Sequence, residues 1–259
     1  MQSDAEHVAK DWDWWSDFLQ REYYCGPDEQ KGWQAAAHDV ATAIDLTPGM
    51  RLLDMGSGCG EMTIRLALRG ADATGVEMSR QLVSHCAEKA VERGVACRFI
   101  AANMFDYEPD NGPLDAILSL NTSFGYGSDE QNRALIAKFG RWLAPGGALY
   151  LDVVTADTAE AFGEWDDMVA GGRLVVNNTY DPDERMMISH PFWISPDYET
   201  VYGATSPEQV RIYSRADLET MMRAAGLEPR RLDRAMGRRY RQTDDEMVTT
   251  WVARRGREK

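Results

Sequence analysis

The chain has 259 residues, enough for one large domain with a substantial core or one domain carrying a small insertion. Its 28 Lys and Arg stand against 42 Asp and Glu, a formal charge of −14 that repels a phosphate backbone unless the basic residues are segregated, so nucleic acid is not an expected partner. Neither a basic leader with an apolar run nor a long uncharged apolar stretch is present, so secretion and membrane spanning are not expected, and the chain reads as cytoplasmic.

Residues 1–45 carry a helical pattern in two parts, separated by Gly26-Pro27. In the second part Trp33, Ala36, Ala37, Val40, Ala41 and Ile44 share one face, suited to lie against a sheet. The first puts Trp12, Trp14, Trp15, Phe18, Tyr23 and Tyr24 on more than one face, which fits burial on two sides or a lid over a ligand. After the Pro48-Gly49 turn, strands near 51–55, 72–77, 96–101, 114–120 and 148–154 alternate with helices, the signature of a parallel sheet covered on both faces. Ser79 caps a helix whose Leu82, Val83, Cys86, Ala87, Ala90 and Val91 form its core face and which ends at Gly94. Ser128 and Gln131 form a capping box ahead of Leu135, Ile136, Phe139 and Trp142, and Pro145-Gly146-Gly147 stops that helix.

Residues 155–212 change character. A short helix over 159–168 and strand-like pieces at 174–178, 186–194 and 199–212, punctuated by Gly171-Gly172, Asp181-Pro182 and Ser195-Pro196, predict an antiparallel insertion. Regular order resumes with Ser214 capping a helix through Leu218, Met221, Met222 and Ala225, ended by Gly226, then strands at 228–234 and 247–254. Arg230, Arg231, Arg234, Arg238, Arg239 and Arg241 are diluted by Asp233, Asp244, Asp245 and Glu246 and read as a solvated surface, with an anion cluster at Arg238, Arg239 and Arg241 as the alternative. The expected organisation is an aromatic helical lid (1–45), an α/β core (46–154), a substrate-side insertion (155–212) and the remaining helix and strands of the core (213–259). Cys25, Cys59, Cys86 and Cys97 show neither metal-ligand nor disulfide-framework spacing; buried thiols and no metal site are expected.

The chain is organised around Leu52-Leu53-Asp54-Met55-Gly56-Ser57-Gly58-Cys59-Gly60, a buried strand running into a glycine turn at a helix start. Glycines there let the backbone turn sharply and approach a ligand that a β carbon would exclude. Glu77 in Gly75-Val76-Glu77-Met78 ends the next strand about 20 residues on, where the nucleotide-binding α/β plan sets a carboxylate against ribose hydroxyls. Together with Asp54 these residues describe a pocket for an adenosine-bearing cofactor. One residue separates Gly58 from Gly60, whereas a pyrophosphate site favours two, and the acid Glu61 at the helix start disfavours phosphate further.

In this order and spacing the glycine turn, Gly75–Ser79, Leu114-Asp115-Ala116-Ile117-Leu118-Ser119 and Leu143-Ala144-Pro145-Gly146-Gly147 resemble the class I S-adenosylmethionine-dependent methyltransferases over roughly 45–154 and 210–255. Asn121–Tyr126 and Val210-Arg211-Ile212-Tyr213-Ser214 look like a bacterial branch acting mostly on small molecules. The resemblance implies a Rossmann-like doubly wound, seven-stranded, mostly parallel sheet, with S-adenosyl-L-methionine as cofactor. It implies that Gly56, Gly58 and Gly60 meet the methionine part, Asp54 its amino group and Glu77 both ribose hydroxyls, with Met78 and Met104 beside them. Where the family commonly has an Asp for the adenine amine this chain has Asn103, whose amide oxygen still accepts; Asp106 is the substitute if the loop is shifted.

Methyl transfer from a sulfonium needs nucleophile, methyl carbon and sulfur held in line, and little covalent machinery. The switch point of the sheet brings the glycine turn beside the end of the fourth strand, so Asn121 and Thr122 are expected near the methyl group. His190, in the insertion, is the expected base where one is needed, with Tyr24 or Tyr23 as orienting phenols. Tyr23, Thr122, Tyr126, Trp193 and Tyr202 are candidate substrate-lining residues. The expected activity is methylation of a nitrogen, oxygen or carbon of a small acceptor, plausibly in bacterial specialised metabolism, by a monomer or homodimer. Alternatives are a protein methyltransferase, a silent cofactor-binding partner and a cofactor-dependent cyclase.

Overall fold

The computed structural model describes residues 6–25, 30–110, 112–232 and 248–257. Thirteen strands and six α-helices follow in chain order among these residues: β1 (Glu6–Lys10), α1 (Trp12–Phe18), a π-helical turn (Leu19–Tyr24), α2 (Gln30–Ala43), β2 (Arg51–Met55), α3 (Glu61–Ala67), β3 (Asp72–Glu77), α4 (Arg80–Glu92), β4 (Arg98–Ala101), β5 (Leu114–Ser119), α5 (Asp129–Trp142) and β6 (Leu143–Val154). Then come β7 (Trp165–Val169), β8 (Gly172–Asp181), β9 (Met186–Ile194), β10 (Thr200–Ala204), β11 (Glu208–Arg211), α6 (Arg215–Ala224), β12 (Leu227–Arg231) and β13 (Val248–Arg255).

Seven strands form the central sheet in the order β12-β13-β6-β5-β2-β3-β4. Pairing is parallel from β6 through β4, and β13 runs antiparallel to both its neighbours. Side chains on a strand point alternately to opposite faces, and this sheet buries both. Leu53, Met55, Ile117, Leu149, Leu151 and Trp251 pack with α5 and α6 residues such as Phe139 and Met222. Leu52, Ala116, Leu118, Tyr150 and Val252 meet α2 and α3 through Val40, Ile44, Met62 and Leu66. The helix starts follow the sequence: Ser79 accepts from Leu82 N at 3.3 Å, and Ser128 with Gln131 closes a reciprocal capping box.

The second sheet, β1-β10-β9-β8-β7 with β11 also on β9, is where the structure departs from expectation. The N-terminal segment is not helical throughout: Glu6–Lys10 forms an edge strand parallel to β10. Its short sequence carries no two-residue alternation, and its edge position leaves it largely exposed. The helix expected over 159–168 is a single 3₁₀ turn at Ala159–Ala161, and β7 follows from Trp165. The Gly171-Gly172 turn pairs this segment with β8 as a hairpin, which overrides its helical pattern. The segment 199–212 divides into β10 and β11, each antiparallel to a different half of β9. Leu143 begins β6 directly after α5, so Pro145-Gly146-Gly147 lies inside the strand span and not between helix and strand. Gly26-Pro27, Asp233, Arg234, Arg238, Arg239, Arg241, Asp244, Asp245 and Glu246 lie outside the described residues.

The cysteines also differ from expectation. Cys25 and Cys59 form a disulfide across 34 residues of sequence, Cys86 is a buried free thiol and Cys97 a half-buried one. Chain folding, not sequence spacing, brings Cys25 to Cys59, since the end of the N-terminal segment lies on the glycine turn.

Candidate active site

Gly56, Gly58 and Gly60 take φ values of 75°, 50° and 73°, the left-handed region that a β carbon disfavours. Gly56 N and Ser57 N donate to Val76 O at 2.9 and 3.0 Å, fastening the turn to the tip of β3. Glu77 stands beside it, its two carboxylate oxygens accepting from Gly58 N at 3.1 Å and Ser79 N at 3.0 Å. Each oxygen keeps a lone pair, enough for two vicinal hydroxyls. Next in the chain, Met78 is 72% exposed, an apolar surface beside the carboxylate suited to a base. The buried Ser57 hydroxyl has no partner in the turn. This donor and acceptor set fits an adenosine ligand without a pyrophosphate.

Asp54 is buried at the end of β2, where Thr63 Oγ1 donates to it at 2.6 Å. Burial raises its pKa to about 6, the Glu77 charge adding to the rise and the Thr63 hydrogen bond opposing it. Glu61, expected to repel phosphate at the helix start, is instead buried against Arg93 (2.8 Å), Arg65 (3.2 Å) and Lys89 (3.3 Å). Burial pushes its pKa up, but Arg93, Lys89 and Arg65 outweigh that and hold it below the usual range. With its charge matched by these cations, the case against a pyrophosphate rests on glycine spacing alone.

The next wall of the site follows β5. Asn121 and Thr122 have φ values of 57° and 59°, uncommon for consecutive non-glycine residues and costing about 1–2 kcal/mol each. Asp152, buried on β6, holds them: its Oδ1 accepts from Asn121 N at 3.3 Å, its backbone oxygen from Thr122 N at 2.9 Å, and its Oδ2 from Thr250 Oγ1 at 2.8 Å. Ser123 Oγ, bonded to Leu120 O at 2.6 Å and Gly56 O at 3.4 Å, ties this turn to the glycine turn. Adjacent parallel strands β2 and β5 thus deliver both turns to one end of the sheet, its switch point.

The insertion supplies the facing side. Arg211 N on β11 donates to Gly125 O at 2.9 Å, and a β carbon at Gly125 would lie 2.5 Å from Arg211 O, so only glycine permits this close seam. Across it the Tyr126 hydroxyl donates to Glu208 Oε1 at 2.6 Å. Tyr126 is 49% exposed, yet desolvation, with Glu208, Tyr24 and Glu77 nearby, raises its pKa well above the phenol range. Tyr126 thus sits at the seam between the loop after β5 and the insertion. Burial also raises the Glu208 carboxyl, against the Tyr126 hydrogen bond.

A methyltransferase domain model matches residues 52–147, which include the glycine turn, Glu77 and the Asn121-Thr122 turn.

Residues 52–147 thus carry a methyltransferase domain.

A cypemycin N-terminal methyltransferase of Streptomyces is 29% identical over 189 residues, covering 70% of this chain and 73% of that protein. A methyltransferase structure from Streptomyces caelestis superposes with a TM-score of 0.73 at 19% identity, covering 87% and 90% of the two chains. An S-adenosylmethionine-bound amino pentose methyltransferase from Micromonospora echinaspora gives 0.67 at 22%, covering 86% and 91%. The chain spans only 18% of the length of the first curated relatives it matches, two 23S rRNA uracil methyltransferases.

Other expected site residues fall less uniformly. Met104 lies against Gly56, its methyl 3.6 Å from where a β carbon would be. Asn103 Oδ1 already accepts from Phe105 N at 2.9 Å, capping its own loop and leaving one lone pair for an adenine amine; Asp106 N is bonded to Asn103 O at 3.1 Å. Tyr24 ends the π-helical turn near Tyr126. Tyr23 stacks on Trp165 at 5.4 Å, while Trp193 and Tyr202 pack with each other and with Phe18 and Trp14. These three join the N-terminal segment to the insertion sheet. His190 is exposed on the face of β9 opposite Met187 and Pro191. Asp152 and Glu208 were not anticipated. A lone carboxylate inside the apolar run Leu149–Val154 signals Asp152, but no sequence pattern singles out Glu208. Among the described residues there is no cluster of metal-ligating side chains, nor a helix long and apolar enough to cross a membrane.

Proposed function

We propose that the protein transfers the methyl group of S-adenosyl-L-methionine to the nitrogen of a small amine acceptor, in bacterial specialised metabolism. The observation that carries this reading is the joint placement, at one end of the sheet, of the glycine turn with Glu77 and of the Tyr126–Glu208 pair. When bound, the cofactor supplies an electrophilic methyl group on a sulfonium.

The residues of this chain have three tasks. Gly58, Glu77 and Met78 seat the nucleoside through ribose hydroxyls and an apolar wall. Asn121 and Thr122, held by Asp152, place a backbone turn beside the reacting centre. Glu208, its carboxyl raised by burial, takes the proton of an ammonium acceptor and so frees the lone pair for attack; Tyr126 orients it. His190 has no part in this scheme.

The names of the cypemycin N-terminal and amino pentose methyltransferases, both amine-bearing in substrate, support a nitrogen acceptor. The match to rRNA methyltransferases is confined to about 80 residues of the domain, and the net charge of −14 disfavours RNA. The test is incubation with methyl-labelled S-adenosylmethionine and panels of amines, phenols and carbon acids. Labelled product and S-adenosylhomocysteine from an amine support the reading; turnover of hydroxyl or RNA acceptors only refutes it.

A further inference from the structure

Cys25, which follows the π-helical turn, and Cys59 of the glycine turn are covalently joined. Cys25 is half-buried, whereas Cys59, between Gly58 and Gly60, is 2% exposed; their Cα atoms are 6.6 Å apart. At the same joint Gln20 Oε1 accepts from Cys59 N at 3.2 Å and lies where a β carbon of Gly58 would fall. Gln20 thereby occupies an amide of the turn that would otherwise face an anionic group of a ligand.

We propose that Cys25 and Cys59 form a thiol–disulfide exchange site for a low-molecular-weight thiol couple such as glutathione, whose oxidised state latches the N-terminal segment over the turn and slows cofactor exchange. The gating part rests on the glycine turn being the S-adenosylmethionine site; the exchange part does not.

Local chemistry assigns the two sulfurs different tasks. Lys89 Nζ lies 3.4 Å from Cys25 Sγ and 3.1 Å from Cys59 O, while also paired with Glu61 at 3.3 Å. In the reduced protein that ammonium favours a thiolate at Cys25, the more accessible sulfur. Cys86 is not a competitor: its thiol donates to Gly58 O at 3.3 Å, and burial pushes its pKa up to about 12. The Cys25 thiolate attacks glutathione disulfide, breaking its S–S bond and releasing one glutathione thiolate. Cys59 then gives its proton to water and attacks the Cys25 sulfur, releasing the second glutathione. Two protein thiols are oxidised and one glutathione disulfide is reduced.

The segment has independent anchors on the insertion. Trp14 stacks on Tyr202 at 5.6 Å and Phe18 meets Trp193 at 5.3 Å. Reduction therefore removes the covalent tie without detaching α1, and Tyr24 O stays bonded to Trp33 Nε1 at 2.6 Å, so the loosening is confined to the contact of Gln20 and Cys25 with the turn.

The full-length protein is equilibrated with excess glutathione disulfide or with dithiothreitol, and release of bound S-adenosylhomocysteine is followed by displacement. The oxidised protein should yield a linked Cys25–Cys59 peptide and release the probe about tenfold more slowly than the reduced protein. Cys25→Ser should release at the reduced rate in either buffer. Equal rates for oxidised and reduced wild type, or no linked peptide after glutathione disulfide, would overturn the proposal. Absence of probe binding in both forms removes the methyltransferase reading and the gate, while the linked peptide still decides the exchange site.

Discussion

The Tyr126 hydroxyl and the Glu208 carboxylate meet at 2.6 Å across the seam between the loop after β5 and the insertion. The pair joins the conserved plan of an open α/β sheet, which sets chemistry at its switch point, to a part of the chain outside that plan. If Glu208 accepts the acceptor's proton, Glu208→Gln should lower kcat/KM about a hundredfold and leave S-adenosylmethionine affinity unchanged. Because burial raises the Glu208 carboxyl, wild-type kcat/KM should rise with pH through that group's titration, and this limb should vanish in the variant. Steady-state kinetics across pH, paired with cofactor titration, check both expectations. Tyr126→Phe should cost less, about tenfold.

Asp54 makes stability depend on pH. Its carboxyl is raised from 3.8 to about 6 in the fold, so over that interval the native state holds a proton that the unfolded chain has released. The contribution is complete below about pH 4 and is lost as pH rises to about 6, to a magnitude of about 3 kcal/mol. Asp54→Asn keeps an acceptor for Thr63 and removes the titration. Urea unfolding at pH 4 and pH 7 should show a loss for wild type that exceeds the variant's.

Asp152 acts on the site through the Asn121-Thr122 turn. Asp152→Ala removes the acceptor of Asn121 N and Thr250 Oγ1 and should destabilise the protein by about 2 kcal/mol. With the left-handed Asn121 no longer held by the carboxylate, while the backbone oxygen at 152 still holds Thr122 N, kcat should fall more than cofactor affinity does. Denaturant midpoints and kinetics on the same preparation separate the two effects.

The central sheet was legible because its strands are buried on both faces and its helices carry caps, so Leu52–Met55, Asp72–Glu77, Ser79 and Ser128 signal their roles locally. Glu77 was legible for the same reason: its place is fixed by distance along the chain from the glycine turn. The edge strand Glu6–Lys10 was not, since β1 exists only through pairing with β10, about 190 residues on. Trp165–Val169 has helical composition and becomes a strand through its hairpin with β8. Two long-range relationships were invisible to spacing rules altogether, the Cys25–Cys59 link and the Tyr126–Glu208 pair, because each is made by where separate segments land on the site. His190 shows the converse: a reactive side chain that its strand position leaves exposed on the face away from Met187 and Pro191.

The proposed function requires Glu77 and the glycine turn to hold the nucleoside of S-adenosylmethionine. Isothermal titration of that cofactor into wild type and Glu77→Ala, with circular dichroism to establish that the variant is folded, tests this most directly. Loss of charged hydrogen bonds to two hydroxyls, about 3 kcal/mol together, predicts an affinity about a hundredfold weaker in the variant. Equal affinity in a folded variant, or no binding by wild type, would contradict it.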